Sequence, residues 1–305
     1  MKILVTGAAG FLGAATVKRA LAAGHGVRAM IRQGSPRARV GLPDADIVMA
    51  DLGDPEALAR AVAGGIDAVI HCAATTSQGA PDEALSRRTN VEGTRLLYQA
   101  AKAAGVGRWV QISSMSAHPG STSVYGRTKL AADEVLRAES GPPVWTILRP
   151  SLIYGPGERG LVAKTVKLLE KLPVVPIVGS GNELMRPIYV DDVADAALAA
   201  LASDAAQGRT YMIGGADEVT LNEFMTALVK ARGLKRPLLH LPIPVALLMA
   251  KMMSVALKNP PLTPDNVLGV RQVQRVEHDA ALRDLPWKPI TLAEGLRRTF
   301  EGQGA

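Results

Sequence analysis

A chain of 305 residues with 48% hydrophobic and only 4% aromatic side chains can bury a large core packed mainly by Ala, Leu, Val and Gly, which excludes whole-chain disorder. Its 35 Lys and Arg against 28 Asp and Glu leave a net charge of +7, but the cations are scattered and densest only over 28–39, so the charge suits anionic small molecules and argues against nucleic acid. Cys72 is the single cysteine, which excludes an internal disulfide and a cysteine-rich metal site, and no metal is expected.

The chain starts Met1-Lys2 and enters an aliphatic strand over 2–6 with no signal-peptide pattern, from which a cytoplasmic location is expected. Helical patterns over 11–23, 55–63, 81–104 and 124–140 then alternate with strands over 26–31, 47–50, 68–72, 109–113 and 144–148. Such alternation needs parallel strands joined by right-handed crossovers, so residues 1–150 are predicted to form an α/β domain, a doubly wound parallel sheet. After Pro150 proline and glycine become frequent; 188–202 reads as a strand tip running into a helix, 209–213 as a last short strand and 221–231 as an amphipathic helix. Residues 151–305 are expected to be mainly a smaller substrate-binding region with segments returning to the main sheet. The apolar run over 241–257 carries Pro242, Pro244 and Lys251, a poor membrane span that fits a buried or substrate-covering helix better.

Thr6-Gly7-Ala8-Ala9-Gly10-Phe11-Leu12-Gly13 follows the first strand and opens the first helix. Glycine is required where the chain turns sharply, where a pyrophosphate approaches and where helix packs on strand, and the free amides of Phe11, Leu12 and Gly13 at a helix N-terminus would meet the anion. The second strand ends without a carboxylate, in Ile31-Arg32-Gln33-Gly34-Ser35; Arg32, with Ser35 and Arg37, fits a ribose 2′-phosphate, so NADP(H) is preferred and NAD(H) is the alternative. Asp51-Leu52 is placed for an adenine, and Asp54 before Pro55 is the better helix cap. Ala73 and Ala74 after the fourth strand leave room for a ribose phosphate, while His71 reads as a buried strand residue rather than a catalytic one.

Tyr125 and Lys129 lie four residues apart, on one helix face. A phenol near pKa 10 is a poor base unless a neighbouring ammonium and an oxidised nicotinamide stabilise its anion, and Lys129 can also hold the nicotinamide ribose. Ser113-Ser114 closes the preceding strand and offers a hydroxyl to a substrate oxygen.

With Asn90-Val91-Glu92-Gly93-Thr94, Leu148-Arg149-Pro150, Tyr154-Gly155-Pro156-Gly157, Tyr189-Val190-Asp191-Asp192-Val193-Ala194 and Trp287-Lys288-Pro289 added, the chain resembles the extended short-chain dehydrogenase/reductase superfamily, the NAD-dependent epimerase/dehydratase family, over nearly its whole length. The resemblance implies a Rossmann fold, Tyr125 as acid/base, Lys129 as its modulator, Ser114 rather than Ser113 polarising the substrate oxygen, and Asn90 supporting the active-site helix. It also implies a nicotinamide amide held by backbone around Pro150 and Ile153, and a homodimer through helices ending near Ala104 and Ser140.

Three departures narrow the activity. Only eleven positions separate Ser114 from Tyr125, which suggests a more open site. Ser114-Met115-Ser116 stands where nucleotide-sugar dehydratases carry an acidic pair, which disfavours dehydration, and Arg186 falls one residue after the expected diphosphate-binding position, occupied here by Met185. The Met-rich 241–257 run and Pro260-Pro261-Leu262-Thr263 look like members with nonpolar ligands. The leading expectation is reversible NADP(H)-dependent hydride transfer to a ketone or secondary alcohol. A nucleotide-sugar epimerase with tightly bound NAD, acting on a sugar-like substrate, and a non-catalytic NADP(H)-binding assembly or membrane-peripheral protein are the alternatives.

Overall fold

Ile3, Leu4 and Val5 are fully buried in β1 (Lys2–Thr6), as an unbroken aliphatic run must be when helices cover both faces of a parallel sheet. The computed structural model describes residues 1–43, 46–76, 82–158, 160–256 and 275–301. Pro81, Leu257 and the Pro260-Pro261-Leu262-Thr263 run lie outside the described residues. By internal contacts the chain divides into one unit of Met1–Ile153, Val190–Gly214 and Glu277–Pro289, and another of Tyr154–Tyr189, Gly215–Val276 and Ile290–Ala305.

In the first unit, α1 (Phe11–Ala22) leads to β2 (Gly26–Ile31), β3 (Ile47–Met49), α2 (Pro55–Val62) and β4 (Ala68–His71). Then come α3 (Glu83–Arg87), α4 (Gly93–Ala103), β5 (Arg108–Ile112), α5 (Val124–Arg137) and β6 (Val144–Pro150). The strand Thr210–Ile213 adds beside β6, giving seven parallel strands in the order Thr210–Ile213, β6, β5, β4, β1, β2, β3. The chain winds outward in both directions from β1 and β4, so the crevice between their carboxyl ends is the topological switch point, where ligands bind in open α/β sheets. This is the doubly wound Rossmann architecture.

Helix α1 buries Gly13, Thr16, Val17 and Ala20, one face at helical spacing, and packs on the Ala-rich helix Val190–Ala202. Asp54 caps α2, its carboxylate accepting from the Ala57 amide at 3.1 Å with Pro55 in the first turn. The long helix expected over 81–104 is interrupted: Arg88–Glu92 is a π-helical segment between α3 and α4. Its Asn90 carbonyl accepts the Thr94 hydroxyl at 2.7 Å, and Gly93 lets Leu52 sit where a Cβ would be, 2.7 Å from the Leu52 Cβ.

The heart of this unit is Trp109, fully buried on β5, with Tyr98 edge-on at 5.2 Å and His71 at 5.4 Å between ring centroids. Thr6 Oγ1 receives the Ala73 amide at 3.1 Å, so its proton turns to His71 Nδ1 at 2.7 Å. Thr94 gives its own proton to Asn90, so His71 Nε2–H must donate to Thr94 Oγ1 at 3.2 Å. Burial, and secondarily Lys129, hold the imidazole pKa down to about 3, and it stays neutral.

In the second unit, Val175–Val178 pairs in parallel with Leu238–Leu241, and Leu184–Met185 pairs antiparallel with Val219–Thr220. Thr220 and Glu223 form a capping box at the helix Leu221–Ala231. Gly295 packs against the Tyr154 phenol, whose ring meets Tyr189 and Phe224 edge-on. The helix Ile243–Ala256 buries Ala246 and Ala250 against Val178 and Leu241 and exposes Leu248 and Met252. No helix of the described residues is long and apolar enough to cross a membrane.

Trp109→Ala leaves a large cavity and is expected to destabilise the protein by about 3–5 kcal/mol, read as a lower denaturation midpoint at unchanged slope. His71 has a folded pKa of about 3, below its unfolded value, so the unfolded chain binds the extra proton and stability is lost as pH falls from 6.5 toward 3. This residue alone contributes about 1.4 kcal/mol per pH unit in that window, a slope that His71→Gln should remove in denaturation measured at several pH values.

Candidate active site

Gly7 turns the chain at a φ of +63°, and a Cβ there would stand 2.9 Å from Ala73 Cα. A Cβ at Gly13 would run into the Gly7 carbonyl, and one at Gly10 would lie 3.0 Å from it. The three glycines therefore let the β1 turn, the start of α1 and the end of β4 occupy one another's van der Waals space. Gly10 caps α1 without a side-chain bond, and no acidic residue stands in the first turn, so the amides of Phe11, Leu12 and Gly13 and the positive helix end face an anion without competition from the chain itself. These residues fit a pyrophosphate.

The Ala8 amide donates to the Met30 carbonyl at 3.2 Å, tying this turn to the end of β2. There Ser35 N–H closes a tight turn on the Arg32 carbonyl at 3.0 Å, with Gly34 at φ +78°, and Arg32 is exposed. Arg28, from the same basic stretch, reaches back to the Ala61 and Ala63 carbonyls at the end of α2, and Arg37 contacts Met49 Sδ at 3.3 Å. After β3, Asp51 accepts the Gly53 amide at 2.8 Å and borders a cavity of about 330 Å³ lined by Asp51, Gly53, Asp54, Arg88, Glu92 and Leu96. Leu52 is buried beneath it. Ala73 and Ala74 follow β4 half-buried.

The end of β5 and the start of α5 bring the proposed catalytic groups together. Ser123 caps α5 through the Gly126 amide at 3.0 Å, which places Tyr125 in its first turn. Gly126 lacks the Cβ that would strike Ser121 and the Ser116 carbonyl, so the short 115–123 segment lies against the helix start. Ser114 accepts the Ser116 amide at 3.1 Å and hydrogen-bonds the Tyr125 phenol. Burial pushes that phenol up to about 12, the Ser114 bond pulls it back, and the charge of Asp133 adds to the rise. Lys129, only 2% exposed, donates to the Ile112 carbonyl at 2.6 Å. Burial brings its amine down to about 8, against the opposing pull of Asp133 and Cys72. The lowering of the phenol that the Tyr–Lys spacing suggests is not what the protein alone shows: desolvation raises it, and Ser114 supplies the opposing pull.

Asn90 bonds the Thr75 amide at 2.7 Å and the Thr75 carbonyl at 3.1 Å, and donates to Thr128 on α5 at 3.0 Å. It pins the chain after β4 to the helix that carries Tyr125. Pro150 gives its carbonyl to the Met115 amide at 3.0 Å, and Ile153 ends the first unit's opening segment.

Two residues without an assigned role in the sequence reading occupy the floor of this site. Asp133, fully buried on α5, accepts from Ser113 at 2.9 Å and from Arg149 of β6 at 2.8 and 3.0 Å. Ser113 is thereby engaged inside and Ser114 faces the phenol. The signal was present: Asp133 follows Tyr125 by eight residues and Lys129 by four, the same helix face.

The family model "NAD dependent epimerase/dehydratase family" matches residues 3–214. The chain is 34% identical to a 2-alkyl-3-oxoalkanoate reductase of Stenotrophomonas maltophilia over 77% of each chain, and 30% identical to a ceramide reductase of Caulobacter vibrioides over 98% of this chain and 90% of that one. Its fold matches a dTDP-glucose 4,6-dehydratase from Streptomyces venezuelae with NAD bound, at a TM-score of 0.76 and 26% identity over 98% of this chain and 95% of the other. The chain belongs to the NAD-dependent epimerase/dehydratase family and is an enzyme of the extended short-chain dehydrogenase/reductase superfamily.

Proposed function

We propose that the protein is an NADP(H)-dependent reductase of ketones, running reversibly to the secondary alcohols, with Ser114, Tyr125 and Lys129 as its working groups. The observation that carries the reading is the Ser114–Tyr125 pair at the carboxyl end of β5, with the phenol held protonated at neutral pH. A phenol with a pKa near 12 is a poor base but a competent acid toward a developing alkoxide, so the site favours the reductive direction. A nicotinamide held by the glycine turn and Lys129 would supply the hydride for the carbonyl carbon. Ser114 hydrogen-bonds the carbonyl oxygen, Tyr125 delivers the proton to it, and Lys129 anchors the nicotinamide ribose. Asn90 keeps α5 in register with the chain after β4.

The glycine turn and the open start of α1 support a dinucleotide, and the NAD-bound dehydratase of the same fold supports a nicotinamide one. Arg32 at the end of β2, with no carboxylate beside it in the 32–35 turn, supports a 2′-phosphate. The two reductase relatives support a carbonyl substrate with apolar character. A nucleotide-sugar substrate is less well supported: Arg186 lies 3.7 Å from Glu218 and donates to the Ala216 carbonyl at 3.2 Å, so a diphosphate would have to draw it from these partners.

Tyr125→Phe should lower kcat for NADPH-dependent reduction of long-chain 3-oxo esters about 10²–10⁴-fold with NADPH binding unchanged in thermal shift; full turnover in this variant would remove the mechanism. Arg32→Ala should weaken NADPH binding about tenfold or more and leave NADH unaffected, measured as KM for each. Equal losses for both cofactors would assign Arg32 no part in choosing between them.

A further inference from the structure

We propose that Asp133 is a positioning residue of the active site: its carboxylate joins the ends of β5 and β6 beneath α5 and supplies the negative charge against which the Lys129 ammonium is held. The inference rests on the catalytic reading of Tyr125 and Lys129. Its geometry is independent of that reading. One oxygen of Asp133, Oδ2, gathers the Ser113 hydroxyl and both Nε and Nη2 of Arg149. The other, Oδ1, is buried with no hydrogen-bond partner among the described residues. A buried carboxylate normally has both oxygens satisfied, and here the positive charges of Arg149 and Lys129 offset part of the cost of the bare one. Lys129 stands one helical turn away on the same face, with its amine on the Ile112 carbonyl, the last residue of β5.

The charges around Lys129 can be counted. On α5 it interacts with Asp133, at the end of β4 with His71 and just beyond that strand with Cys72, and on β6 Arg149 holds Asp133. His71 is neutral, and burial raises the Cys72 thiol to about 12, so it is neutral as well. Tyr125 keeps its proton. Asp133 is then the sole anion among these groups, set against two cations, Arg149 and Lys129. Burial raises the Asp133 carboxyl above its usual range, while Arg149, Lys129 and Ser113 hold it down. Without the carboxylate the buried Lys129 ammonium would lose the anion that favours it, and burial would drive off its proton at lower pH.

The test titrates Lys129 by the ¹³Cε resonance in cofactor-free protein, alongside the pH profile of kcat/KM. Asp133→Asn should move the Lys129 midpoint and the alkaline limb of the profile down by at least one pH unit, with about tenfold lower kcat/KM at pH 8; Asp133→Glu should restore most of both. Unshifted titration and profile in a folded Asp133→Asn protein would overturn the proposal and leave Asp133 a structural residue. If that variant does not fold, the wild-type Asp133 carboxyl ¹³C resonance decides. A carboxylate at pH 7 supports the proposal, and a protonated carboxyl refutes it. Because the resonances are read without turnover, a failure of the reductase reading would show separately, as absent carbonyl reduction by the wild type.

Discussion

Between the carboxyl ends of β1 and β4 the backbones of Gly7 and Ala73 pass so closely that no side chain fits at Gly7, and the first turn of α1 closes on the same glycine through Gly13. This three-way backbone contact aims the N-terminus of α1 into the switch-point crevice and sets β4 close enough for Thr6, at the end of β1, to bond both the Ala73 amide and His71. The features that fit a dinucleotide, the bare helix amides and the small residues after β4, gather around this point where side chains are excluded.

From Thr6 a line of hydrogen bonds runs through His71, Thr94, Asn90 and Thr128 to the carbonyl of Tyr125. Each hydroxyl along it both accepts and donates, which fixes the His71 tautomer and joins the glycine turn to α5 by short contacts. The π-helical segment at Arg88–Glu92 belongs to the same line, since Asn90 serves Thr94 with its carbonyl and Thr75 and Thr128 with its amide group.

Electrostatically the site combines neutral groups with one compact charged knot. His71 and Cys72, which could have carried charge, are made neutral by burial, while Asp133, Arg149 and Lys129 are kept below the phenol. Desolvation is the largest influence on His71, Cys72, Lys129, Asp133 and Tyr125, so the chain alone presents a protonated phenol, which fits the proposed reduction.

The strand–helix alternation, the glycine turn, the Asp54 cap and the Tyr125–Lys129 face were legible in the sequence, because each depends on local periodicity or on backbone demands within a few residues. The burial of His71 was also readable, from its place in an aliphatic strand. Tertiary structure alone decided that Ser113 turns inward to Asp133 and Ser114 toward the phenol, that Lys129 seats on the Ile112 carbonyl, and that the expected long helix widens into a π-helical segment around Asn90. Those outcomes depend on residues 11 to 38 positions apart along the chain meeting in a medium poor in water, where desolvation outweighs the neighbour-to-neighbour charge effects that spacing reveals.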